Sequence, residues 1–178
     1  MPTFGNTVAG SFGAGFDENV ICAAGPFTSP SDFGILTDIY VYLSTNQKAG
    51  PIPTYAMIYS DNSSYPYNFL KASNPTSVVG LTPKWYDFNL PVSYQGSPNT
   101  PYWFIIEPYG AAPALLWKIY GNSSGGHFYY NPYSQNAPYE PSPFPTGLSD
   151  QGYYISVYGV YTSVTARKIR RLLVGEGL

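Results

Sequence analysis

The stretch ILTDIYVYL, residues 35–43, alternates residue by residue. Ile35, Thr37, Ile39, Val41 and Leu43 fall on one side, and Leu36, Asp38, Tyr40 and Tyr42 on the other. A repeat of two is the period of a β-strand, whose side chains point to opposite faces of a sheet. Further segments of this kind follow in TYAMIYSD, NFLKAS, KWYDFNLP, PYWFIIEP, ALLWKIYG, GHFYYN and GYYISVYGVYTS. Each is short, rich in β-branched or aromatic residues, and bounded by Gly, Pro, Asn or Ser. The 18 glycines and 18 prolines fall mostly between the segments, where turns need them. No stretch before Val164 keeps an apolar i, i+3, i+4 pattern for three turns, so the body is all-β. Eight or nine short antiparallel strands predict a sandwich or a jelly roll over residues 1–163.

A chain of 178 residues fits one domain. At that size it can bury roughly 70% of its unfolded surface. A single cysteine, Cys22, rules out an intramolecular disulfide. It reads as a small buried hydrophobe, because a catalytic thiol needs an activating base and the sole histidine is His127. Only 10% of the residues are charged, and 19 are tyrosine, so the surface is neutral and aromatic. Before Val164 there are nine acidic residues against four lysines, which excludes a basic nucleic-acid groove in the body. No apolar run reaches the length of a membrane span. The opening MPTFGNTVAGSFG lacks the charged and long apolar regions of a secretory signal.

Catalysis finds few candidates. A glycosidase needs two carboxylates facing across a cleft. Asp87 and Glu107 are the strand-borne pair, each on a face shared with a tryptophan, Trp85 and Trp103. Carboxylates alternating outward on a sheet are also the ordinary arrangement. A Ser-His-Asp triad would have to use His127, which reads as a strand-edge or loop residue. No enzyme is expected. One histidine and one cysteine exclude a zinc site. No cofactor is expected, with calcium as the one exception the loops allow. Its oxygens would come from SDNSS at 60–64 through Asp61, or from Asp17 and Glu18, although SDNSS reads equally as a plain turn.

The region 121–150 is long and rich in Pro, Asn and Tyr, as functional or interfacial loops are. Trp117, Tyr120, Tyr129, Tyr130, Tyr133 and Tyr139 cluster around it in sequence. Tyrosine joins apolar area to a polar tip at small entropic cost. Such a platform serves a glycan, a protein partner or plain packing.

Residues 164–178 break the pattern. Ile169, Leu172 and Leu173 fall at i, i+3, i+4, with Arg167, Lys168, Arg170 and Arg171 on the other faces. That predicts a short basic amphipathic helix, too short to be stable alone. It is expected to dock as an assembly arm on a neighbouring copy or another structural subunit. Its own domain, an anionic surface, or solvent are the other destinations.

The segment order resembles a family of small jelly-roll domains found in bacteriophage and environmental surface proteins, and as modules appended to secreted proteins. The resemblance covers about residues 3–163. It lies in FGNT, FTSP followed by GILTDIYVYL, AMIYSDNSSYPYNFLKAS, WYDFNLPVSY, PYWFIIEP and YYISVYGVYTS. Tyr65-Pro66-Tyr67 stands where the family usually has a Pro-Gly turn. The resemblance implies a non-catalytic module that contacts carbohydrate or builds a virion or other extracellular surface structure. The expected function is therefore a capsid, decoration or tail component assembled through the arm, or a carbohydrate-binding module.

Overall fold

The computed structural model describes residues 1–16, 21–46, 51–108, 116–122, 127–131, 141–146, 149–150, 152 and 154–164. The first strands are β1 (Thr3–Gly5), β2 (Phe12–Phe16), β3 (Ile21–Thr28), β4 (Ile35–Asn46) and β5 (Ile52–Asp61). There follow β6 (Pro66–Ala72), β7 (Thr76–Val78), β8 (Lys84–Gln95), β9 (Pro101–Pro108) and β10 (Leu116–Asn122). The last are β11 (His127–Asn131), β12 (Ser149–Asp150), β13 (Tyr154–Ile155) and β14 (Val157–Thr162). They form two packed antiparallel sheets, an all-β sandwich. The expected arm, with Arg167, Lys168, Ile169, Arg170, Arg171, Leu172 and Leu173, lies outside the described residues.

Sheet A has β4 at its centre. One edge of β4 pairs with β8, and the other with β14 and then β10. β1 pairs with β14, and β2 and β13 pair with β10. Sheet B runs β12-β11-β3-β9-β5-β6, with β7 also on β5. The pairs nest: β1 joins β14, β3 joins β9, β4 joins β8, and β5 joins β6. Strands β10 to β13 fall between β9 and β14, and extend both sheets.

The alternation in 35–43 is broken once. Opposite β14, Val160 pairs with Asp38 and the next residue, Tyr161, with Leu36, so Thr37 is an extra residue. This bulge reverses the facing on its N-terminal side. Leu36 joins Ile39, Val41 and Leu43 in the core, whereas Ile35 and Thr37 are only half-buried. The expectation that Leu36 shares a side with Tyr40 and Tyr42 is corrected here.

Between the sheets lies an aromatic core. Phe104, fully buried, packs against Phe4 and Phe27 at ring separations of 5.3 and 5.7 Å. Gly159 of β14 makes room for them. A Cβ there would stand 2.5 Å from Leu36 Cδ1 and 2.9 Å from Phe4 Cε1. Cys22 is buried in this core, and burial pushes its thiol pKa up, so it is an apolar filler as expected. Phe104→Ala should cost roughly 3–5 kcal/mol in urea unfolding, by lost transfer energy plus a cavity. Val92→Ala, at a side chain 60% exposed, should stay within about 0.5 kcal/mol. Equal effects from the two would refute this core assignment.

Candidate functional site

The two outer faces of the sandwich differ. In β9, Tyr102, Phe104 and Ile106 point inward, and Trp103 and Ile105 outward. Those outward residues, with Ile21, Ala23, Met57 and Tyr59, form a second buried cluster capped by Phe144. The Phe144 N–H donates to the Tyr67 carbonyl at 2.7 Å, and the Tyr65 hydroxyl donates to the Pro145 carbonyl at 2.7 Å. Segment 141–146 thus packs over the Tyr59 and Tyr65 end of the outer face of sheet B.

Sheet A presents a different outer face. Tyr86, Phe88 and Leu90 of β8 point into the core, so Trp85, Asp87 and Asn89 point out. On β4 the outward set is Asp38, Tyr40 and Tyr42, between the core residues Ile39, Val41 and Leu43. Register brings these sets together. Tyr42 lies opposite Trp85, and Tyr40 lies between Asp87 on β8 and Tyr158 on β14. Tyr40 and Tyr158 stack at 5.1 Å with an interplanar angle of 6°. Trp85 meets Tyr158 at 5.0 Å and Tyr42 at 5.2 Å. Tyr42 meets Tyr120 of β10 edge-on at 5.6 Å. Five rings therefore form one continuous, half-exposed aromatic mosaic across four strands' worth of pairing.

Its polar fittings are specific. The Tyr40 hydroxyl donates to Asp87 Oδ2 at 2.9 Å, and the Asn89 amide donates to Asp38 Oδ1 at 3.0 Å. The Tyr120 hydroxyl is 3.0 Å from Ser44 Oγ. Gly13 of β2 lies under the Tyr120 ring, and a Cβ there would come within 2.8 Å of Tyr120 Cε1. Glycine at that position lets the ring lie flat over the edge strand.

The rings also change the acid–base behaviour. Partial burial, then the hydrogen bond and charge of Asp87, push Tyr40 up to about 12. Partial burial also raises Asp87, against the Tyr40 hydrogen bond and with help from the Asp38 charge. Tyr158 is raised by burial and then by Asp87.

Of the six residues of the expected platform, Trp117 and Tyr120 belong to β10 in sheet A, and Tyr129 and Tyr130 to β11 in sheet B. Tyr133 and Tyr139 lie outside the described residues. Tyr120 belongs to the mosaic. Its companions Tyr40, Tyr42, Trp85 and Tyr158 were not on that platform. Their alternation with Asp38, Asp87 and Asn89 was visible in the sequence, but the register joining them was not.

The alternative chemistries separate in space. Asp87 faces outward from sheet A, whereas Glu107 is fully buried and falls on the Trp103 side of sheet B. The sandwich stands between them, so they face no common cleft. His127 Nδ1 pairs with Asp150 Oδ2 at 2.5 Å and clips β12 to β11. In the 60–64 turn, Asp61 accepts the Trp103 indole N–H at 2.7 Å and the Ser64 N–H at 3.3 Å. Both of its oxygens thus have protein donors. Asp17 and Glu18 lie outside the described residues.

The fold and this face define a β-sandwich with an aromatic, carboxylate-bordered outer face. No protein-family model matches the chain, and no curated protein matches it.

Because the folded pKa of Tyr40 exceeds the ordinary 10, its contribution to stability is full below pH 10 and is lost as pH rises through about 12. The phenolate difference spectrum between the wild type and Tyr40→Phe should show this late ionisation. In Asp87→Asn the midpoint should fall but stay above 10, since burial is the larger cause. An Asp87→Asn midpoint identical to wild type would break the assigned coupling.

Proposed function

We propose that this chain is a non-catalytic structural protein with a jelly-roll topology. Its place would be a virion, as a capsid, decoration or tail component, or a similar self-assembling extracellular surface structure. The jelly-roll reading is supported by the nesting of first strand with last, from β1·β14 inward to β5·β6, which is a long hairpin rolled across two sheets. The virion context comes from the resemblance to the phage and environmental jelly-roll family.

The observation that carries the functional reading is the outer face of sheet A. Tyr40, Tyr42, Trp85, Tyr120 and Tyr158 gather there half-exposed, while segment 141–146 packs over one end of the outer face of sheet B. Clustered aromatic area rimmed by polar groups is the composition of a contact surface. Repeated copies of one modest surface become strong in a symmetric assembly. The segment 164–178 acts in this reading as the arm that links copies. Non-catalysis is supported by the separation of Asp87 from Glu107 on opposite sides of the sandwich.

A carbohydrate-binding module is the second reading. It is favoured by Asp87, Asn89 and the Tyr40 hydroxyl beside the rings, a set that matches sugar hydroxyls and C–H faces. Trp117, Tyr120, Tyr129, Tyr130, Tyr133 and Tyr139 are the further aromatic candidates in that case.

Light scattering coupled to size exclusion, with negative-stain imaging, distinguishes the readings on the whole chain and on a version ending at Ser163. Rings, fibres or particles from the whole chain and monomers from the shorter one are the expected result. Monomers from both would overturn the assembly reading. Binding to a glycan panel, lost in Trp85→Ala, would then establish the second.

A further inference from the structure

We infer that the outer face of sheet A is the receptor for the basic C-terminal segment of a neighbouring copy. The inference rests on the proposal that this segment mediates assembly, and adds the surface it engages.

Four of the chain's eight basic residues, Arg167, Lys168, Arg170 and Arg171, fall within five positions of the segment. Their complement is a surface with carboxylates for charge and flat rings for planar guanidinium groups. Of the described carboxylates, Asp150 pairs with His127, Asp61 takes the Trp103 and Ser64 N–H groups, and Glu107 is buried. Asp32 accepts the Tyr161 hydroxyl at 2.7 Å, at the base of the arm itself. Asp38 and Asp87 remain. Each accepts a hydrogen bond from a neutral partner, Asn89 and Tyr40, and has no cationic partner among the described residues. Each carboxylate therefore keeps lone pairs for an incoming cation. Beside Asp87 stand Tyr40, Tyr158 and Trp85, the rings on which arginine stacks.

The direction of the chain favours a neighbour over the parent copy. β14 begins opposite Val41, passes Tyr40 and Asp38, and ends opposite Ile35. Val164 then donates its N–H to the Asp32 carbonyl at 3.0 Å. The chain thus leaves sheet A travelling away from Asp38 and Asp87. Fourteen residues follow. Fully extended, they span about 46–50 Å, enough to cross to the next subunit. An arm at one end and a receptor on one face make a head-to-tail contact, which closes into rings or runs on as filaments.

A charge swap in the full-length chain tests the pairing, with sedimentation velocity as the readout. Asp38→Lys with Asp87→Lys should weaken self-association about tenfold, as should Arg167→Glu, Lys168→Glu, Arg170→Glu and Arg171→Glu together. Combining both sets in one chain should restore it. A face variant that assembles like wild type overturns the inference, as does a combination no better than either set alone. If the arm variant fails while the face variant assembles, the arm works through another surface and only this inference falls. If the arm variant assembles normally, the assembly proposal falls with it. Should the lysines lower the unfolding midpoint, Asp38→Asn with Asp87→Asn replaces them. Unchanged association in that variant is equally fatal.

Discussion

Everything in sheet A depends on the register of β4. Its inward residues Leu36, Ile39, Val41 and Leu43 lie in the core, and its outward residues Tyr40 and Tyr42 hold the middle of the aromatic mosaic. Because strand side chains alternate, a slip of one residue would bury both tyrosines and expose Val41 and Ile39. Hydrogen bonding to β8, β14 and β10 along twelve residues fixes that choice. The bulge at Thr37 is the one place where the phase is reset, and it allows Leu36 to join the core.

The same rings that are proposed to serve contact also serve stability. Aromatic pairs such as Tyr40–Tyr158 and Trp85–Tyr158 add about 0.5–1.5 kcal/mol each beyond their buried area. They tie β4, β8 and β14 together on the side away from the core. A sheet face made this way is firm before any partner arrives, so little ordering entropy is lost on contact. The sparing use of charge has the same consequence. With few lysines and glutamates to desolvate, a tyrosine-rich face can be covered at small cost, and in the proposed assembly Asp38 and Asp87 would orient the incoming arm.

Much of the fold was legible because alternation is a local signal. ILTDIYVYL, KWYDFNLP and PYWFIIEP fall in β4, β8 and β9, and the Cys22 reading followed from a count of possible partners. β3 was harder to read. Its stretch ICAAGPFT is buried on both faces, so it is a run of small and apolar residues without alternation. The Thr37 bulge left no mark on the sequence, because it is defined only against β14. The mosaic was missed for the same reason. Tyr42 and Trp85, or Tyr40 and Tyr158, are neighbours only once long-range register is known. Grouping aromatic residues by nearness in the chain instead joined β10 to β11, which belong to different sheets.

The central claim is that the outer face of sheet A is a surface covered by other copies of the chain. Hydroxyl-radical footprinting of the full-length protein across a dilution series measures this directly at Tyr40, Tyr42, Trp85 and Tyr158. The account predicts that oxidation of these four falls as concentration rises, while exposed Leu81 and Val92 stay equally reactive throughout. Oxidation of the four rings that is independent of concentration, in a sample that nonetheless assembles, would contradict it.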